Sequence, residues 1–272
     1  MDPFARKTAI ITGGASGIGR ALAEELCRRG ALVTLADINA SLLEETVGAL
    51  AGRGYDAVGA PLDVTELEAV KKVVQDTVRA RGRLDYMFNN AGIVIAGEAQ
   101  DFSYSDWRRV IDTNLYGVVH GVMAAYPLMV EQGHGHIVNT ASLAGLVPAT
   151  GEISYTTSKY GVVGLSNALR AEAAHYGVKV SVVCPGFIRT PIYESCELIG
   201  LDRGKMMELA PEGLPPHKCA RAILRGVERN RAIIVVTALA RAFWIMQRLS
   251  PGLVRAVFSR GLMKPMRDAK IA

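Results

Sequence analysis

The chain has 272 residues, half of them apolar, and a formal net charge of +5, a size at which one domain with one large core is expected. The opening MDPFARKTAIITGG holds neither a signal-peptide apolar core nor a cleavage pattern, and no apolar run approaches the roughly 20 residues that cross a bilayer, so a cytoplasmic chain is expected. Cys27, Cys184, Cys196 and Cys219 show no CxxC pair or zinc spacing and read as reduced thiols, while His134 and His136 read as a turn before a strand rather than as metal ligands.

In chain order, apolar β-type runs at 8–12, 31–36, 56–60, 84–88, 136–141, 178–183 and 232–237 alternate with helix-type runs at 18–29, 40–51, 65–80, 105–131, 152–176 and 217–229. That alternation predicts a doubly wound α/β domain, a parallel sheet with helices on both faces. Between 189 and 216 the pattern breaks into an irregular, proline-rich segment, a size of loop usually kept for binding. Beyond 237 lies a basic amphipathic extension, 238–272. Charge is uneven: residues 1–216 carry 19 Lys+Arg against 24 Asp+Glu, and residues 217–272 carry 12 against 2.

Directly after the first strand stands Thr12-Gly13-Gly14-Ala15-Ser16-Gly17-Ile18-Gly19. Glycines at Gly13, Gly17 and Gly19, with Ser16 and Ile18 between them, let the backbone turn sharply and bring a helix N-terminus to a pyrophosphate. Eighteen residues past Gly19, Asp37 ends the second strand, near the offset at which a carboxylate reaches the adenosine ribose. Such a carboxylate bonds a 2′-hydroxyl and repels a 2′-phosphate, and the next residue is Ile38 rather than a base, so NAD is expected over NADP. Residues 1–237 therefore read as one dinucleotide-binding catalytic domain.

Tyr155 and Lys159, in SYTTSKYG, are four apart and share a helix face. A free phenol titrates near pH ~10. An ammonium beside it favours the phenolate, so Lys159 is expected to lower the Tyr155 pKa and make it a usable acid or base.

Taken together, the TGxxxGxG loop, Asn89-Asn90-Ala91-Gly92, Asn114, Ser142 and Tyr155-x-x-x-Lys159 resemble the short-chain dehydrogenase/reductase family over residues 6–192. The resemblance implies a Rossmann-like seven-stranded sheet and reversible hydride transfer between a nicotinamide and an alcohol or carbonyl. By similarity Tyr155 is the general acid/base, Lys159 also binds the nicotinamide ribose, Ser142 holds the reacting oxygen and Asn114 continues the proton path. Asp63 and Val64 are implied to flank the adenine, Asn90, Ala91 and Gly92 to line the cofactor, and Pro185, Gly186, Ile188 and Thr190 to close around the nicotinamide. Tyr160, directly after Lys159, is a bulky departure.

The candidate substrate lining is apolar: Ile93, Val94, Ile95, Leu143, Val147, Pro148, Tyr193, Leu198, Ile199, Leu201, Met206, Met207 and Leu209. It suits a hydrophobic alcohol or ketone, such as a steroid, retinoid, terpenoid or long-chain lipid. No Arg or Lys stands out as a clamp for a carboxylate or phosphate, although Arg189, Arg203 and Lys205 keep that role open. A protein that binds NAD without turnover is the competing class, and the presence of Ser142, Tyr155 and Lys159 favours the enzyme. A nucleic-acid partner is not expected, because the basic tail holds no recognised motif. In that tail Arg241, Arg248 and Arg255 recur every seven residues among Phe243, Trp244, Ile245, Met246, Leu249, Leu253, Val254, Val257 and Phe258. Ser250-Pro251 predicts two helices rather than one. The tail is expected to pack on its own domain, cover the pocket, join subunits or touch an anionic membrane surface, and the assembly to be a homodimer or homotetramer.

Overall fold

Neighbouring residues of the central strands are buried on opposite sides: Ile10, Met87 and Ile137 pack into one core, and Ile11, Phe88 and Val138 into another. A strand buried on both faces must be apolar throughout, which is why these segments read as continuous runs. The computed structural model describes residues 2–209 and 212–271, and at 209, 258–260, 262–265 and 267 the backbone alone. The side chains of Leu209 and Phe258 therefore lie outside the described residues.

The elements follow in order as β1 (Thr8–Thr12), α1 (Gly17–Arg28), β2 (Leu32–Asp37), α2 (Ala40–Ala51), β3 (Ala57–Pro61), α3 (Leu67–Arg81) and β4 (Tyr86–Asn89). Then come β5 (Ile95–Ala96), α4 (Tyr104–Ile111), α5 (Gly117–Gln132), β6 (Gly135–Thr140), α6 (Ile153–Ala173) and β7 (Val178–Cys184). The chain continues through β8 (Glu197–Leu198), α7 (Arg203–Leu209), α8 (Pro216–Glu228), β9 (Ile233–Val235), α9 (Ala238–Leu249) and α10 (Pro251–Asp268).

Seven of these strands form one sheet in the order β3-β2-β1-β4-β6-β7-β9, with every pair parallel. Helices α1 and α8 pack together over one face, while α3 and α5 pack together over the other. The winding reverses between β1 and β4, which opens a crevice at the carboxyl ends of the strands. The structure is thus the expected doubly wound, Rossmann-like single domain.

Two local features depart from the sequence reading, and a third follows it. The helix expected over 105–131 is interrupted by a π-helical turn, Asp112–Tyr116. The reason is Asn114, fully buried, whose Oδ1 accepts the Ile93 N–H at 2.8 Å and whose Nδ2 donates to the Ile93 carbonyl at 2.9 Å. The segment 189–216 is not wholly irregular: β8 pairs with β5 in a second, two-stranded parallel sheet, and α7 follows it. Residues after 237 form two helices, as Ser250-Pro251 predicts, with Thr237 capping α9 by accepting the Ala240 N–H at 3.1 Å.

The tail packs on its own domain. Ala240 and Val254 are fully buried in a cluster with Leu143, Val147, Val162 and Cys184. Past α10 the chain is clipped to the 189–216 segment: the Asp202 N–H donates to the Ala269 carbonyl at 2.8 Å and the Ile271 N–H to the Gly200 carbonyl at 3.0 Å. Lys270 Nζ completes the clip on Glu98 at 2.9 Å and Asp101 at 3.2 Å. Among the described residues no helix is long and apolar enough to cross a membrane.

Candidate active site

The first βα turn sits where the winding reverses. Gly13 and Gly17 adopt positive φ angles of 63° and 52°, and a Cβ on Gly19 would stand 1.9 Å from the Gly13 carbonyl oxygen. Only glycine closes this turn. Asn90 braces it from β4, its Nδ2 donating to the Thr12 carbonyl at 3.1 Å and the Gly13 carbonyl at 3.3 Å. Thr12 Oγ1 in turn accepts the N–H groups of Asn90 and Ala91. The first turn of α1 contains no acidic residue and no side-chain cap. Its free N–H groups and the close-approach glycines therefore fit a pyrophosphate.

A cavity of about 470 Å³ runs from this turn along the sheet's carboxyl edge. Its walls bring together Gly13, Ser16, Gly17, Ile18, Asn90, Ala91 and Gly92 with Ser142, Tyr155, Lys159, Pro185, Gly186, Ile188 and Thr190. Five candidates are elsewhere. Gly19 is buried under the turn. Asp37 stands behind it, one carboxylate oxygen accepting the Ala15 N–H and the other the Asn39 N–H, each at 3.0 Å. Asp63 folds onto Thr65, accepting its N–H at 2.9 Å and its hydroxyl at 2.7 Å. Val64 is buried against Ala36, Leu62 and Val70. Asn114 does not line the cavity; its amide is taken up by Ile93 and by Ser158, to whose Oγ it donates at 3.2 Å.

Tyr155 and Lys159 project from the first turns of α6. Lys159 is buried, its Nζ donating to the Thr140 carbonyl at 3.0 Å and lying 5.5 Å from the centre of the Tyr155 ring. Gly92 leaves room beside it, since a Cβ there would sit 3.4 Å from Nζ. Ser142 follows β6, accepts the Ala144 N–H at 3.1 Å, and stands beside the Tyr155 phenol in the cavity wall. Tyr160 points outward on α6 and does not meet the site.

The expected lowering of the Tyr155 pKa is not what the chain alone produces. Burial, which disfavours the phenolate, pushes it well above the usual tyrosine range; the neighbouring Ser142 hydroxyl opposes this, while Glu152 and Tyr193 add to it. Burial likewise brings Lys159 down to about 8. An ammonium four residues away does not compensate for desolvation of the ring, and the sequence could not show that the phenol is enclosed.

On the substrate side, Val94, Leu143, Val147, Tyr193, Leu198, Met206 and Met207 line the cavity as expected. Ile93, Ile95, Pro148, Ile199 and Leu201 do not, and Ile95 and Leu201 are buried in the packing behind it. Strand alternation explains part of this, because Val94, just before β5, and Ala96 line the cavity while Ile95 between them faces the other way. The clamp candidates are absent from the wall: Arg203 donates to the carbonyls of Glu194 and Cys196, and Lys205 to that of Asp268. The sequence reading missed Glu152, Phe187, Cys196 and, from α10, Gly261 and Met266. Gly151, with φ 82°, leaves the space that Met266 fills. Nothing in the spacing of the tail signals that contact.

Residues 7–197 match the family model for short chain dehydrogenases. SadH of Mycobacterium tuberculosis, an oxidoreductase by name, is 34% identical over 97% of this chain and 98% of its own. The cyclohexanol dehydrogenase of Acinetobacter sp. is 37% identical over 74% of this chain and 81% of its own. A short chain dehydrogenase/reductase from Burkholderia phymatum, solved in complex with NAD, superposes with a TM-score of 0.86 at 30% identity, covering 93% of this chain and 96% of that one. The chain belongs to the short-chain dehydrogenase/reductase family and is an oxidoreductase of a family that binds NAD(P).

Proposed function

We propose that the chain transfers a hydride between NAD and an apolar secondary alcohol or its ketone, of steroid, retinoid, terpenoid or lipid-like character, with Tyr155 as general acid/base. The reading is carried by the meeting of Ser142, Tyr155 and Lys159 in the lining of a cavity that also holds Val94, Leu143, Val147, Leu198, Met206 and Met207. The dinucleotide, when bound, supplies the hydride acceptor or donor and, oxidised, a positive ring that favours the phenolate. Tyr155 takes the carbinol proton as hydride leaves the carbon, and Ser142 holds the oxygen by a hydrogen bond. Lys159 bonds the ribose and keeps its charge near the phenol. Asn114 acts by holding the Ile93 backbone, which fixes Gly92 beside Lys159. Gly13, Ser16, Gly17 and Ile18 cradle the pyrophosphate, and Asn90, Ala91, Pro185, Ile188 and Thr190 line the remainder. Asp63 and Val64 serve the adenine end by shaping the turn after β3. A relative named for cyclohexanol, itself an apolar secondary alcohol, supports the substrate class.

Preference for NAD is supported by Asp37, which ends β2 next to an exposed Ile38 with no base in the following turn. Screening apolar secondary alcohols with each cofactor, by absorbance of the reduced nicotinamide, is expected to give a higher kcat/KM with NAD. Asp37→Ala should shrink that preference at least about tenfold, the worth of a hydrogen bond to a charged group. A wild type that prefers NADP would overturn the reading of Asp37.

The tail is read as a cover of the pocket that also meets an anionic membrane surface from which an apolar substrate arrives. Leu239, Ile245, Leu249, Leu253 and Val257 are exposed on α9 and α10 beside the exposed Arg241, Arg248 and Arg255. Each arginine near such a surface contributes about 1 kcal/mol, screened by salt. Co-sedimentation with anionic vesicles at low salt is expected, fading as salt rises, and a truncation after Thr237 should lose it. Equal, negligible binding to anionic and neutral vesicles would leave the cover, or a contact within a homodimer or homotetramer, as its role.

A further inference from the structure

The substrate side of the cavity holds an unspent carboxyl. Glu152 precedes α6 and lines the cavity three residues before Tyr155, so carboxyl and phenol share the first turn's face. Its backbone carbonyl accepts the Thr156 N–H at 2.7 Å. Its carboxyl does not cap the helix, and among the described residues it makes no hydrogen bond or ion pair. Among the described residues, the titratable groups that face it are Tyr155 on α6 and, from the segment after β7, Tyr193 and Cys196. None is a cation. Lys159, the other charged residue in the wall among the described residues, is tied to Thr140. Around them the wall is Val94, Ala96, Leu198, Met206 and Met266.

A half-buried carboxyl set among apolar groups without a partner is costly, and the cost is relieved when a ligand brings one. We infer that Glu152 determines specificity, bonding a second hydroxyl group on an otherwise apolar alcohol whose carbinol carbon faces Tyr155. The inference rests on the proposed role of Tyr155. A hydroxyl suits the site better than an ammonium. Burial raises Glu152 to about 7, so near neutral pH it is present in both forms; a hydroxyl donates to the ionised form and accepts from the protonated one, whereas a cation needs the ionised form alone.

The test compares matched alcohols with and without the second hydroxyl: 1,4-cyclohexanediol against cyclohexanol, and 2,5-hexanediol against 2-hexanol. The wild type is expected to favour at least one diol by tenfold or more in kcat/KM, Glu152→Leu to bring that pair within about twofold, and Glu152→Gln to keep part of the preference. Glu152→Gln should also move the limb of the oxidation profile that follows Tyr155 to lower pH, since the Glu152 charge holds the phenol protonated. Oxidation of the alcohols with no diol preference, or a preference that Glu152→Leu leaves intact, overturns the inference alone. Preference for 4-aminocyclohexanol over the diol overturns the hydroxyl assignment. Failure of the wild type to oxidise any of them with either cofactor removes the acid/base reading, and the inference with it.

Discussion

Tyr155→Phe is expected to lower kcat by at least about 10²-fold while leaving the fold and NAD affinity near those of the wild type. The phenyl ring preserves the wall of the cavity and removes only the hydroxyl that meets Ser142. Positioned acid/base transfer is typically worth ~10²-fold or more. The pH dependence carries the sign. Burial holds the phenol above its usual range, so alcohol oxidation, which needs the phenolate, should rise with pH from neutral into the alkaline range. Carbonyl reduction, which needs the phenol, should fall over the same range. Steady-state rates in both directions check this, with thermal unfolding as the control for folding. Near-normal turnover in the variant would remove Tyr155 from the chemistry.

Lys159→Met is expected to damage binding and chemistry together. Methionine keeps most of the buried length, so the variant isolates the ammonium. The Thr140 carbonyl loses the donor now at 3.0 Å, the ribose loses a bond, and the phenol loses the cation near its ring. Loss of a charge-assisted hydrogen bond should raise the Kd for NAD at least about tenfold. The activity limb assigned to Tyr155 should move to higher pH, because removing a nearby positive charge disfavours the phenolate. Titration of NAD binding and a pH profile measure the two effects separately. A fall in kcat with NAD affinity unchanged would contradict the double role.

How far the sequence could be read follows from the range of each interaction. Strand β1 falls on the predicted 8–12 and α2 on the predicted 40–51, because burial on both faces and the Asn39 cap leave their pattern in adjacent residues. The glycine turn was equally legible, its strain being local to Gly13, Gly17 and Gly19. By contrast, the π-turn at Asn114 is set by a bond to Ile93, twenty-one residues away. The β5–β8 ladder is two residues long, too short to show any period. Glu152 reads in sequence as the first residue of the helix predicted over 152–176, and only the closure of β5, the segment after β7 and α10 around it makes it part of a cavity. The same enclosure reverses the expected shift on Tyr155: i and i+4 spacing shows that a cation is near, not how much water has been taken from the ring.

The most direct test of hydride transfer at this site uses an apolar secondary alcohol, found by the cofactor screen, carrying deuterium at its carbinol carbon. With NAD and the wild type, deuterium is expected in the reduced nicotinamide, with none drawn from solvent, a slowed single turnover, and at least ~10²-fold less transfer in Tyr155→Phe. NAD binding with no transfer of deuterium from any alcohol in the screen would contradict the account and leave a protein that binds the dinucleotide without turnover.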